Sequence, residues 1–211
     1  MEPLPDPLKD RVIKEVYPPP YLELNKELFF DSNKLPNYKN IRDHLLKEGK
    51  ISKKHFMYII NTIISINKSE PNIIKVHDPV TVVGDIHGQY YDLVTLLNFK
   101  GLPINHSYIF LGDYVDRGSF STECIILLYI LKIIYKKRVI LLRGNHECRQ
   151  LTSYFNFRLE CEVKYDIQIY DAIMASFDSL PIGCIVNDKF LCIHGGLSPK
   201  LDQVRLNMLI Y

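Results

Sequence analysis

Eight side chains with metal-ligating, proton-transfer or phosphate-binding chemistry fall in four short runs of the chain. The runs are Gly84-Asp85-Ile86-His87-Gly88-Gln89, Gly112-Asp113-Tyr114-Val115-Asp116-Arg117-Gly118, Arg143-Gly144-Asn145-His146-Glu147 and His194-Gly195-Gly196. Each places its polar groups on a glycine-flanked bend, directly after an apolar stretch that reads as a strand. Carboxylate, imidazole and amide oxygen together suit zinc, manganese or iron, whereas a structural zinc site draws on thiolates. The donor set therefore points to a catalytic metal site.

Asp85 and His87 are two residues apart, so in an extended or turning segment both reach one ion. Asp113 is placed to bridge that ion to a second, which Asn145 and His194 would also bind. Two such ions clamp the attacking and leaving oxygens of a phosphoryl displacement and turn a shared water into a hydroxide nucleophile. His146 at the rim suits protonation of the departing alkoxide, with Asp116 on its other ring nitrogen to fix the tautomer. The planar fork of Arg117 suits the non-bridging oxygens of a phosphate. Gly88, Gly118, Gly144 and Gly195 allow tight bends and close approach of a substrate. Glu147 and Arg143 are either groups behind the ligands or an ion pair on the loop. His44, His55, His77 and His106 lack such a setting and read as solvated or core histidines.

The positioning elements follow from periodicity. A proline-rich head spans residues 1–38, ahead of a catalytic domain over 39–211. A helix with Ile41, Leu45 and Leu46 on one face is expected to stop at Gly49. Ser52 caps the next helix, whose stripe is Phe56, Ile59, Ile60, Ile63 and Ile64, and Pro71 closes that region. Strands then alternate with helices: Val80 to Val83, a helix around Leu93 to Leu97, Ser107 to Leu111, a helix from Thr122 to Tyr135, and Val139 to Leu142. Such alternation predicts parallel pairing. Helices over Thr152 to Tyr165 and Ile169 to Phe177 come next. A hairpin of Ile182 to Val186 and Phe190 to Ile193, turning at Asn187-Asp188-Lys189, then delivers His194. In open α/β sheets, sites are built on loops beyond the carboxyl ends of strands, so four such loops imply one shared site.

Composition narrows the class. A chain of 211 residues with 47% hydrophobic content buries a real core. A net charge of +2, with scattered lysines, gives no basic field for nucleic acid. The 5 Cys have no metal-type spacing and read as reduced thiols, consistent with a cytoplasmic location. The most apolar run, Cys124 to Tyr135, is well short of the ~20 residues of a membrane span and reads as a buried helix.

With these motifs the chain resembles the phosphoprotein phosphatase family, the metal-dependent protein serine/threonine phosphatases, and in particular its calcineurin branch. The resemblance runs from about Asp10 to Pro199. It is carried by the four runs, Asp10-Arg11-Val12-Ile13-Lys14, Pro18-Pro19-Pro20, His44-Leu45-Leu46-Lys47-Glu48-Gly49, Glu147-Cys148-Arg149-Gln150-Leu151-Thr152 and Tyr154-Phe155. It implies an α/β fold, the calcineurin-like metallophosphoesterase β-sandwich flanked by helices, here its N-terminal half or more. It also implies Asp85, His87 and Asp113 on a first metal and Asp113, Asn145 and His194 on a second, an iron and zinc pair for which manganese substitutes. His146 would be the general acid, Asp116 its partner and Arg117 a phosphate ligand.

Past Leu197-Ser198-Pro199 the text departs from the family. The resemblance therefore leads to the expectation of a C-terminally truncated chain. A further histidine ligand, a second phosphate-binding arginine, the opposing strands of the sandwich and the segments for an EF-hand regulatory subunit and calmodulin would all lie beyond it. Three functions remain distinct: a protein serine/threonine phosphatase acting on phosphoproteins, a related nucleotide or polyphosphate phosphoesterase, and a weakly active partner-binding fragment.

Overall fold

The computed structural model describes residues 22–197, so the first 21 residues of the head and the segment after Leu197 lie outside it. Helix α1 (Tyr38–Leu45) is capped by the Asn37 side chain, and α2 (Lys53–Lys68) by Ser52, whose hydroxyl accepts the His55 N–H. The stop after α1 differs from expectation. Glu48, with φ 55°, takes the left-handed position, while Gly49 leaves room for the His44 ring, which a Cβ there would strike at 2.2 Å. His44 Nε2 donates to the Leu22 carbonyl at 2.7 Å, tying this corner to the residues ahead of α1. Leu24 and Phe29, from the same stretch, are buried in the main core.

Next come β1 (Ile73–Val76), β2 (Val80–Val83), α3 (Tyr90–Lys100), β3 (Ser107–Phe110), α4 (Ser121–Ile134) and β4 (Val139–Leu141). After them follow α5 (Arg149–Tyr154), α6 (Phe157–Lys164), α7 (Ile167–Phe177), β5 (Gly183–Val186) and β6 (Phe190–Cys192). The order β2-β3-β4 makes an all-parallel sheet with Val83 opposite Phe110 and Phe110 opposite Leu141, as the alternation predicts. A second sheet, β1-β5-β6, pairs β1 with β5 in parallel and closes β5 and β6 as a hairpin. Asn187 and Asp188 turn that hairpin, both at φ 53°, a conformation these two residue types tolerate.

The sheets pack face to face. Ile109, Ile140 and Leu142 meet Val76, Cys184 and Val186 in a small core, while Tyr108, Phe110, Val139 and Leu141 point the other way into the helical layer. Three strands of the opposing sheet thus come from within this chain, where the sequence reading placed that sheet wholly beyond its end. β1 went unrecognised because its partner β5 lies more than a hundred residues later and no crossover of its own announces it. Helix α4 is buried on every side, Lys132 included, whose Nζ is held by both Glu70 oxygens at 2.7 and 2.9 Å. No helix among the described residues is long and apolar enough to cross a membrane.

Candidate metal centre

Three parallel strands deliver their loops to one end of the sandwich, and β6 of the facing sheet brings His194 to the same place. The loops after β2 and β3 interlock through their backbones. The Asp113 carbonyl accepts the N–H groups of Ile86 at 3.0 Å and His87 at 2.9 Å, Tyr114 accepts Gly88 at 2.9 Å, and His87 accepts Gly118 at 3.0 Å. Asp113, Tyr114 and Gly144 in turn donate their N–H groups to the Glu147 carboxylate, at 2.7, 2.9 and 2.9 Å. Glu147 is fully buried, and burial pushes its carboxyl up to about 7 against the pull of those three donors. The ion pair with Arg143 is not made. Arg143 reaches the Glu147 backbone carbonyl and Asp178 instead.

Side-chain geometry follows from this frame. His87 Nδ1 lies 2.7 Å from the Val115 carbonyl, which only accepts, so Nδ1 carries a proton and Nε2 is the nitrogen turned to the carboxylates. That buried Nε2 has no hydrogen-bond partner among the described residues and sits 3.5 Å from Asp113 Oδ2 and 3.9 Å from Asp85 Oδ2. The other carboxylate oxygen, Asp113 Oδ1, is 3.4 Å from His194 Nε2, which lies 2.8 Å from Asn145 Oδ1. Asp113 therefore turns one oxygen toward each imidazole. In the neutral His87 ring a lone pair faces the Asp113 and Asp85 oxygens without a proton between them, an arrangement that repels until a cation sits there, whereas His194 Nε2 donates to Asn145 Oδ1, which only accepts. Asp85, Asp113 and His194 offer ligand atoms within 4.8 Å of one another, as do His87, Asp113 and His146. The residues present fit a pair of metal ions.

His146 is buried beside this cluster. Its Nδ1 is 2.7 Å from Oδ2 of Asp116, whose Oδ1 accepts the Phe157 N–H at 3.0 Å. Burial pushes the Asp116 carboxyl up, and these two bonds pull it back. The His146 ring packs edge-on against His87, centroids 4.7 Å apart, and against Phe155 at 5.1 Å. Arg117 is exposed at the rim, and its backbone N–H donates to Asn156 Oδ1 at 2.6 Å. Seven of the eight sequence-derived residues are thus brought together, Asp85 and Asn145 exposed among them, and Arg117, also exposed, lies next to Asp116 on the same loop.

Four of these residues have left-handed backbones: His87 (φ 45°), Asp113 (54°), Asp116 (67°) and Arg117 (68°). Each costs on the order of 1 kcal/mol, held by the bonds above. The glycines allow backbone to approach rather than substrate. A Cβ on Gly144 would lie 2.3 Å from Asp113 Oδ1, and one on Gly118 would lie 2.3 Å from the His87 carbonyl oxygen. Gly195 has open space around it.

The family model for the calcineurin-like phosphoesterases matches residues 78–210, a span that contains all four loops. The chain belongs to this family. Two calcineurin-like relatives are the serine/threonine-protein phosphatase 2B catalytic subunits A1 and A2 of Saccharomyces cerevisiae. The first is 47% identical over 180 residues, covering 85% of this chain and 32% of that protein. The second is 48% identical over 179 residues, covering 85% of this chain and 30% of that protein. The chain therefore spans about a third of the length of these relatives. A solved Saccharomyces cerevisiae protein serine/threonine phosphatase, similar to human phosphatase PP5, superposes with a TM-score of 0.75 at 35% identity, over 78% of this chain and 55% of that one. A cold-active protein-tyrosine phosphatase of a psychrophile Shewanella shares the fold, with a TM-score of 0.53 at 24% identity over 65% of this chain and 47% of that one.

Sequence reasoning missed the support behind the site. Glu160 on α6 accepts the Ser121 and Thr122 N–H groups at 3.1 and 2.7 Å, capping α4 in place of Phe120, which has no cap to offer. Lys164 bonds both Glu123 and Glu160; burial works against its charge, but the two carboxylates outweigh that and raise its pKa. The i,i+4 spacing of Glu160 and Lys164 was a visible signal of an ion pair, but not of its place at the foot of α4.

Proposed function

We propose that this chain carries the catalytic metal site of a protein serine/threonine phosphatase that hydrolyses phosphoserine and phosphothreonine in phosphoproteins. The observation that carries the reading is Asp113 with an imidazole facing each of its oxygens, next to a buried His146–Asp116 pair at 2.7 Å. Asp85, His87 and Asp113 would hold one ion and Asp113, Asn145 and His194 the other, iron and zinc by family resemblance, with manganese as a substitute. When bound, such a pair supplies Lewis acidity and lowers the pKa of a water toward neutrality.

The chain's own residues supply the rest. With Nδ1 turned to Asp116, His146 donates from Nε2 to the departing serine or threonine oxygen. Asp116 fixes the ring's orientation and its tautomer. Phe155, packed on the ring, restricts water around it. Arg117 binds the non-bridging phosphate oxygens through its guanidinium. We place this catalytic unit at residues 39–211 behind the head at 1–38. We also place the protein in the cytoplasm, a reading supported by free thiols at all five cysteines. We further propose regulation by an EF-hand subunit and calmodulin, a reading supported by the naming of the similar yeast proteins as catalytic subunits.

The test is hydrolysis by the manganese-loaded chain of a phosphoserine peptide and of a dinucleoside tetraphosphate. The peptide should be the better substrate, and preference for the tetraphosphate contradicts the proposal. His146→Gln should slow the peptide by about 10²–10⁴-fold and an aryl phosphate far less, because an aryl leaving group needs little protonation. Equal losses on the two substrates remove His146 from the acid role.

A further inference from the structure

The junction between α5 and α6 grips the loop that carries Asp116 and Arg117. Asn156 accepts the Arg117 N–H on Oδ1 at 2.6 Å and donates from Nδ2 to the Gly118 carbonyl at 2.9 Å. Phe157, the first residue of α6, donates its N–H to Asp116 Oδ1 at 3.0 Å. Three consecutive loop residues are thereby tied to two consecutive residues of the junction. The tie falls where two successive non-glycine residues, Asp116 and Arg117, are left-handed at φ 67° and 68°. Such an arc relaxes unless its surroundings hold it.

Asn156 does this in place of its ordinary task. An asparagine just ahead of a helix usually takes an extended backbone and accepts an N–H from the first turn. Here its backbone is helical, φ −98° and ψ −10°, and its side chain makes no capping bond. The amide serves the loop instead of the helix. Among side chains of this length only an amide offers both a donor and an acceptor, which the Gly118 carbonyl and the Arg117 N–H require. The same junction divides α5 from α6, where periodicity alone predicts one helix from Thr152 to Tyr165.

We propose that Asn156 is a positioning residue for phosphate: by holding Asp116-Arg117-Gly118 in its left-handed arc, it keeps the Arg117 guanidinium at the rim where the phosphoryl group docks. This rests on the phosphatase reading for the role of Arg117. Because Asn156 caps nothing, Asn156→Ala removes the grip on the loop without removing a helix cap.

The test uses the manganese-loaded full chain as wild type, Asn156→Ala, Asn156→Asp, Arg117→Ala and Asn156→Ala with Arg117→Ala. Affinity for inorganic phosphate and phosphopeptide kinetics are measured on each, together with amide exchange at Arg117 and Gly118. Asn156→Ala should weaken phosphate binding on the order of 5–10-fold, raise KM more than it lowers kcat, and add little once Arg117 is gone, as expected of coupled neighbours. Asn156→Asp should recover part of the loss, since the Arg117 N–H keeps its acceptor. The Arg117 and Gly118 amides should exchange faster in Asn156→Ala while those of β3 and α4 stay protected. Unchanged phosphate affinity, or a loss that simply adds to that of Arg117→Ala, overturns the inference. A chain that binds phosphate in this Asn156-dependent way yet hydrolyses no phosphopeptide sinks the phosphatase reading and leaves the positioning role standing. An active chain indifferent to Asn156 does the reverse, and a chain that binds no phosphate overturns both.

Discussion

His87 reaches Asp113 from inside a pair of interlocked loops, whereas His194 reaches it from the end of an exposed hairpin. On the first side, four backbone hydrogen bonds join the β2 and β3 loops, and the Val115 carbonyl fixes the imidazole. On the second, β6 leaves Phe190 64% exposed, and His194 is held by Asn145, itself exposed, at 2.8 Å. The His87 side is thus braced by more backbone than the His194 side. Ligand affinity gained through preorganisation should therefore be unequal across Asp113.

The largest effect should come from the group that sets the first half. Glu147→Ala would leave the buried Asp113, Tyr114 and Gly144 N–H groups unpaired and destabilise the fold by about 3–5 kcal/mol. Glu147→Gln keeps the shape and needs to disappoint only the Tyr114 donor, for about 2 kcal/mol. Thermal melts measure both, and equal melting points for Ala and wild type would remove Glu147 from the frame. At the next level, metal content after mild dialysis should fall nearer one ion per chain than two. His194→Ala should leave that ion in place and His87→Ala should release it. Similar retention in the two variants would mean the halves are equivalent. The smallest effect is expected at Gly195, where Gly195→Ala meets open space and should change stability by less than about 0.5 kcal/mol. Gly144→Ala drives a methyl onto Asp113 Oδ1 and should be clearly destabilising by the same melt.

The same contrast explains what could be read from the chain alone. The four glycine-flanked runs were legible because residue type and glycine flanks are local, and the strands before them because apolar runs are local. What stayed hidden depends on distant partners. Glu147 looks like a loop glutamate until the β3 loop lays two N–H groups on it, beside the Gly144 N–H of its own loop. The break at Asn156 interrupts a helical pattern because docking on Arg117 and Gly118 outweighs continuation of the helix. Gly49 carries the signature of a helix stop, yet its lack of a side chain serves His44, and Glu48 takes the strained position. β1 is a four-residue run whose partner lies at the other end of the chain.

The central claim is that Asp113 joins two metal positions of unequal hold. Manganese titration followed by electron paramagnetic resonance tests it directly, because two ions sharing one carboxylate couple their spins and separate ions do not. The account predicts two binding steps of different affinity. An exchange-coupled signal should emerge only with the second step and be absent in Asp113→Asn. Two equal, uncoupled ions, or a coupled signal that survives Asp113→Asn, would contradict it.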